Sequence, residues 1–185
     1  MIVLGIDPGS RRTGFAVLEA DSRGCLLRGF GTLELTCRAQ HPERLEELYR
    51  RLRQIMRQHR PHVCALELPV YGRDPQAMLK LGRAQAAAML AAAHEGVPVV
   101  EYLPAQVKKA VTGRGSASKE QVWRTLCALL GLSGEQKPPS SDASDALAVA
   151  YCHAHRDQAS ARKPRRDWKT FVEVHADRIS LPYKP

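Results

Sequence analysis

Apolar residues gather in short runs over the first third of the chain and in helical stripes after it. Ile2 to Ile6 is apolar throughout and ends at Asp7, where Pro8 and Gly9 break it, which predicts a buried strand. Gly14 opens a second run, Phe15 to Leu18, so the two runs read as a hairpin with a polar tip. Cys25 to Leu35 alternates well enough for a third antiparallel strand. From Pro42, Leu45, Leu48, Leu52, Ile55 and Met56 recur three and four apart and predict a helix stopped by His59-Arg60-Pro61. Arg44, Arg50, Arg51, Arg53 and Arg57 fall largely off that stripe, as on a solvated face. Val63 to Leu68 predicts a fourth strand buried on both faces, with Glu67 as a charge inside it.

The pattern then alternates between helix and strand. Gln76 to His94 predicts a helix in which Met78, Leu79, Leu81, Met89 and Leu90 stand among many alanines, a face smooth enough for close helix–helix approach. Val97 to Leu103 predicts the fifth strand, and Pro104 opens a short helix to Val111. Ser118 with Gln121 resembles a capping box for a helix through Leu130. Ser141 or Asp142 is expected to cap a last helix ending near His155. Three antiparallel strands followed by two that alternate with helices predict an α/β fold, a mixed five-stranded sheet with helices on both faces and strand 1 at its centre. Residues 1–155 form the expected domain. Residues 156–185, with Arg162, Lys163, Arg165 and Arg166 and little apolar period, form an expected weakly ordered basic tail.

Charge narrows the partners. Across 185 residues, Lys plus Arg number 28 against 19 Asp plus Glu, a formal net charge of +9 that favours a polyanion, nucleic acid before membrane. The longest apolar stretch, Ala84 to Ala93, is too short to span a bilayer, and Met1 runs straight into a strand, so a cytoplasmic protein without a membrane partner is expected. Cys25, Cys37, Cys64, Cys127 and Cys152 are scattered with no Cys-x-x-Cys pair, which argues against a zinc site or a disulfide framework.

Four acids stand where acids are structurally awkward. Asp7 ends the central strand, where it suits a metal ligand or catalytic group, and equally a cap for the Pro-Gly turn. Glu67 lies in an apolar run, and buried acids are uncommon without a partner. Asp142 and Asp145, three apart, share a helical face; each would also favour the helix N-terminus by about 0.3–1 kcal/mol. If all four converge, their repulsion calls for divalent cations. Oxygen ligands select magnesium or manganese, and a pair of ions about 4 Å apart suits in-line attack on a phosphodiester.

Five stretches carry a resemblance: Ile6-Asp7-Pro-Gly-Ser-x-x-Thr-Gly14, Ala65-Leu-Glu67, Leu79-Lys-Leu-Gly-Arg-Ala-Gln85, Gln106-Val-Lys-Lys-Ala-Val-x-Gly-x-Gly115-Ser-Ala-x-Lys119 and Asp142-Ala-x-Asp145-Ala-Leu-Ala. In this order, over roughly residues 1–155, the chain resembles the RuvC family of bacterial Holliday-junction resolvases. The resemblance implies a ribonuclease H-like fold and a homodimer. It implies paired, symmetric nicks in like-polarity strands of four-way junction DNA, with two Mg²⁺ or Mn²⁺ per active site, leaving 5′-phosphate and 3′-hydroxyl ends. It implies partnership with the branch-migration proteins RuvA and RuvB, and a cytoplasmic, nucleoid-associated location. It assigns catalysis and metal ligation to Asp7, Glu67, Asp142 and Asp145, DNA contacts to Lys108 and Lys119, and the dimer helix to about residues 77–93; Lys109 and Arg114 are expected to supply further phosphate contacts. The family often carries a phenylalanine three residues after the glutamate. Here that position is Val70, followed by Tyr71, which is expected to replace it by stacking on a base near the crossover.

Three rival readings bear on the same residues, and the third is the serious one. An actin-like ATPase would need a second, similar half, which the chain lacks. A junction-binding protein without cleavage would lack an acid, and all four are present. A related nuclease acting on RNA is separated by comparing junction and RNA cleavage.

Overall fold

The computed structural model describes residues 1–36, 40–69, 74–132 and 140–162, with side chains as far as Arg156. Strands β1 (Ile2–Asp7), β2 (Arg12–Asp21), β3 (Gly24–Glu34), β4 (Val63–Glu67) and β5 (Val99–Tyr102) form one sheet in the order β3-β2-β1-β4-β5. β1 lies at the centre, antiparallel to β2 and parallel to β4; β3 is antiparallel to β2, and β5 parallel to β4. Because β1 and β4 run in parallel with Ile6 opposite Leu66, the residues that follow, Asp7 and Glu67, emerge together at one edge of the sheet.

Period-two alternation sends side chains into two cores. Leu4, Ile6, Val17, Cys64 and Leu66 face helices α1 (His41–His59) and α2 (Pro75–His94), whose Leu48, Leu52, Met56, Ala84, Ala88, Ala91 and Ala92 pack against them. Val3, Ala16, Leu18 and Ala65 face the other way, onto α3 (Pro104–Thr112), α4 (Lys119–Leu130) and α5 (Ser141–Arg162) through Val107, Val122, Leu126, Ala146 and Val149. Small residues let the helices come close: the buried stripe of α2 is alanine at all four positions. The sheet and α1–α4 belong to the unit Met1–His155.

Several boundaries differ from expectation for local reasons. β2 runs from Arg12 to Asp21, longer than the apolar run, because its polar ends still pair with β3. β5 starts at Val99, since Pro98 offers a carbonyl to Cys64 (2.9 Å) but has no N–H to donate. α5 begins at Ser141, and its cap is Ser140 instead of Ser141 or Asp142: the Ala143 N–H donates to Ser140 Oγ at 3.2 Å. The Ser140 hydroxyl also meets Thr32 Oγ1 of β3 at 2.5 Å, which ties the start of the helix to the sheet. α5 continues to Arg162, beyond the expected end at His155, because no glycine or proline interrupts the sequence before Pro164. The expected tail from Lys163 onward lies outside the described residues, as do residues 70–73 and 133–139.

Candidate active site

The β1–β2 turn that follows Asp7 is held by one fully buried side chain. Thr13 Oγ1 donates to the Gly9 carbonyl (3.0 Å) and accepts from the Gly9 N–H (3.2 Å), closing the loop on itself. A Cβ at Gly9 would fall 1.9 Å from the Arg12 carbonyl oxygen, so the turn closes this tightly only with glycine there. Asp7 is thereby presented from a fixed strand end. Glu67 arrives from β4 alongside it, and the Leu68 N–H donates to the Tyr102 carbonyl at 2.9 Å, so sheet pairing persists one residue past the acid.

Asp142 and Asp145 reach Asp7 because the backbone of α5 lies directly on β1 and β2. A Cβ on Gly5 would sit 2.1 Å from the Ala146 carbonyl oxygen, and a Cβ on Gly14 only 1.9 Å from that of Asp142. Gly14 is the register partner of Asp7 across the β1–β2 ladder. The missing side chain at Gly14 therefore opens the space through which the first turn of α5 approaches Asp7.

A cleft of about 340 Å³ opens at this edge of the sheet. Asp7, Glu67 and Asp145 line it together with Lys108 of α3, Lys119 at the start of α4 and Gln85 of α2; Pro8, Leu81 and Val107 contribute apolar wall. Asp142 does not line the cleft, but its charge acts on both Asp7 and Asp145. Lys109 and Arg114 are exposed and lie outside the lining. Val70 and Tyr71 lie outside the described residues.

Electrostatics sets this cleft apart from ordinary surface. Burial, then the charges of Asp145 and Asp142, pushes the Asp7 carboxyl up to about 7, against the pull of Lys119. Burial, then Asp7 and Asp145, pushes Glu67 up to about 8, with Lys119 and Lys108 opposing. Asp145 is also raised, first by burial, although its Oδ2 accepts a hydrogen bond from the Lys119 ammonium in a salt bridge. Burial works against the Lys119 charge, yet the bond to Asp145 and the three carboxylates together hold its pKa above the ordinary lysine value.

The residues fit a hard divalent cation in donor type and in charge. Every candidate ligand is a carboxylate oxygen, and the raised acids are a set whose ionised form lacks enough positive charge from the protein alone. With the side chains as they stand, no group of three or more His, Cys, Asp and Glu among the described residues is arranged to hold an ion. Lys119 fills the cationic role at Asp145.

Sequence reasoning found the acids and missed what brings them together. Gly5 and Gly14 carry no chemistry, and only their contact with a helix some 130 residues later reveals them. Thr13 stands in a turn motif that could have flagged it, since Ser and Thr often tie such turns to the backbone. Gln85, the last residue of the Leu79–Gln85 stretch, lies on the cleft, with its Nε2 donating to Glu101 Oε1.

The family model for crossover junction endodeoxyribonuclease RuvC matches residues 3–153. A relative of that name from Salinibacter ruber is 43% identical over 180 residues, which cover 97% of this chain and 99% of the relative. The solved structure of Thermus thermophilus RuvC is similar with a TM-score of 0.79 at 32% identity, over 86% of this chain and 97% of that one. The T. thermophilus protein in complex with Holliday junction substrate is similar with a TM-score of 0.77 at 30% identity, over 86% and 96% of the two chains.

The raised acids make stability depend on pH. The folded chain keeps Asp7 and Glu67 protonated up to about 7 and 8, whereas the unfolded chain releases those protons near 4, so folding binds protons across this window. Stability is therefore full at low pH within the window and falls as pH rises through it. The melting temperature in EDTA is expected to drop between pH 5 and 8, and magnesium to restore more of it at pH 8 than at pH 6. A melting temperature flat across that range would refute the assignment. A second expectation concerns the helix seat. Gly14→Ala forces α5 off the sheet at a cost of about 1–3 kcal/mol, as overpacking does, and shrinks the magnesium-dependent gain; thermal melts of both proteins with and without magnesium read both effects.

Proposed function

The chain belongs to the RuvC family of crossover junction endodeoxyribonucleases, and on that basis we propose that it resolves Holliday junctions by hydrolysing phosphodiester bonds of four-way DNA. The observation that carries this reading is the cleft itself, where acids from β1, β4 and α5 converge between lysines of α3 and α4. Such a site pairs a carboxylate cluster able to bind cations with ammonium groups able to hold a phosphate beside it.

In this reading Asp7, Glu67, Asp142 and Asp145 hold two divalent cations, Mg²⁺ or Mn²⁺. When bound, such ions activate water and offset charge on the departing oxygen. Asp7, from the rigid centre of the sheet, fixes the position of the cluster, and Glu67 and Asp145 close it from two sides. Lys108 and Lys119 border the same cleft and set the scissile phosphate against the acids by charge, without reading bases; Lys109 and Arg114 add contacts along the strand outside it. The products are 5′-phosphate and 3′-hydroxyl ends, made by paired nicks in strands of like polarity. Tyr71 stacks on a base near the crossover in place of the family aromatic, with Val70 beside it.

Paired nicks need two sites related by symmetry, and a two-fold interface uses one patch twice. α2 supplies a suitable patch. While Ala84, Ala88, Ala91 and Ala92 pack on the sheet, Leu79 and Leu90 are 52% and 57% exposed on the outer face, with Gly82, Ala86 and Ala93 around them. One helix thus serves the core with one face and a second copy with the other. The branch-migration proteins RuvA and RuvB act alongside it in the cytoplasm, at the nucleoid. No helix among the described residues is long and apolar enough to cross a membrane.

Two outcomes test this reading. Asp7→Asn is expected to abolish nicking of a synthetic four-way junction in Mg²⁺ while leaving junction binding within about twofold of wild type, because positive charge, and not the acid, holds the DNA; gel shifts and nicking assays on one substrate decide it. Leu79→Glu with Leu90→Glu is expected to convert a dimer into a folded monomer, as light scattering at micromolar concentration and circular dichroism would show; a wild-type protein that is already monomeric there defeats the dimer.

A further inference from the structure

The cleft at the sheet edge is lined by charged side chains and apolar ones, with one exception. Asp7, Glu67 and Asp145 bring acceptors, and Lys108 and Lys119 bring donors. Gln85 of α2 is the single neutral side chain among the described lining residues that carries a donor and an acceptor together. It is half-buried, and its head group is held from β5, where its Nε2 donates to Glu101 Oε1. Tyr102, the residue after Glu101, is the register partner of Glu67 across β4 and β5. The amide is thereby held near the level of the acids, on the β5 side of Glu67. A glutamine free to turn about its side-chain bonds would lose that freedom on meeting a ligand; this one has already given up much of it.

This corner differs from the side of the cleft that carries the lysines. Glu101 is exposed and forms no ion pair with any described residue, so its charge repels a phosphate, while the cations of the cleft stand on α3 and α4. Leu81, one turn before Gln85 on the same side of α2, lines the cleft together with Pro69 and Pro104. Such apolar surface suits the flat face of a ring and offers nothing to a phosphate. The cleft volume of about 340 Å³ falls within the range of pockets that enclose a small organic group, about 300–1,000 Å³. One Nε2 hydrogen of Gln85 goes to Glu101; the second, with Oε1, bonds to no described residue. A donor beside an acceptor on one planar group complements a nucleobase edge, as glutamine on adenine illustrates.

We propose that Gln85, held by Glu101, is a specificity-determining residue that hydrogen-bonds the edge of a base next to the scissile phosphate. The proposal rests on the reading of the cleft as a junction nuclease. Lys108 and Lys119 hold the phosphate whatever the sequence, and Gln85 accepts or refuses the base beside it. A base with the wrong edge leaves the amide donor or acceptor unpaired in a half-buried place, which slows cutting at that sequence alone.

The test is single-turnover nicking in Mg²⁺ by the full chain, on synthetic four-way junctions that differ only in the base on either side of the nick. At one of the two positions, wild type is expected to cut the most favoured base about tenfold or more faster than the least favoured, the discrimination that one good amide–base contact supplies. Gln85→Met has a similar length but neither hydrogen-bonding group. It is expected to slow the favoured junction about tenfold more than the others, which levels the panel. Glu101→Gln keeps a carbonyl acceptor for the Gln85 amide and is expected to retain the preference, whereas Glu101→Ala, which frees the amide, reduces it about threefold. A Gln85→Met protein that cuts every junction slower by the same factor, with a lower melting temperature, would make the Gln85–Glu101 contact a tie between α2 and β5 and overturn the proposal. A wild-type protein that cuts all the junctions alike, or a preference that Gln85→Met leaves intact, overturns it too. Asp7→Asn, run on the same panel, separates the two levels. Cutting that persists in Asp7→Asn puts the chemistry outside this cleft and fails the nuclease reading itself; cutting that stops there but keeps its base preference in Gln85→Met fails this inference alone.

Discussion

Contact between the backbone of α5 and the two central strands sets the geometry of the cleft. At Gly5 and Gly14 the helix carbonyls of Ala146 and Asp142 occupy space that any side chain would fill. A helix held off by ordinary side chains packs about 10 Å from a sheet, close to the range of interhelical distances, and at that spacing short aspartates fall away from a strand-end carboxylate. Direct backbone contact removes the gap. It also explains why α5 is rich in alanine along its buried length, with Ala143, Ala146, Ala148, Ala150 and Ala154 buried: a larger residue at these positions would lift the helix as surely as a side chain on the strand.

Bringing carboxylates together has a cost that the rest of the site is arranged to bear. Burial and mutual repulsion raise Asp7, Glu67 and Asp145 together, and the rigid sheet keeps them from relaxing apart. Lys119, anchored at the N-terminus of α4 by the Ser118 capping box, offsets part of this through Asp145. The excess of positive charge along the chain is thus not spread evenly. Some of it, on α1, pairs with Glu47 and Glu95, and some stands beside the carboxylates where a polyanion would otherwise be repelled.

How much of this was legible in the sequence depended on whether the cause was local. The β1 run ending at Asp7, the stripe of α1 and the Ser118–Gln121 capping box were readable because a few neighbouring residues dictate them, and all three appear as expected. The central place of β1 was readable from its unbroken apolar run. Boundaries set by competition were not. Ser140, Ser141 and Asp142 are all good caps, and Ser140 was favoured by a contact with Thr32 more than a hundred residues away. α5 runs past His155, where the apolar period fades, because the polar sequence that follows contains no residue that breaks a helix before Pro164. The acids of the site were legible as acids in unfavourable places; the glycines that join them were not, because the need for a missing side chain exists only after folding.

The order in which the site's parts occur along the chain has a consequence for synthesis. Asp7 and Glu67 lie in the first 67 residues, but Asp142 and Asp145 come after the five strands and first four helices of the described residues. A ribosome-bound chain can form β1–β4 and present two of the acids, while the trough floored by Gly5 and Gly14 waits empty. Only when α5 has cleared the exit tunnel can the helix cover the apolar face of β1 and β2 and bring its two acids to the other two. A chain that stops short of Ser141 carries two of the four proposed acids and lacks the other two.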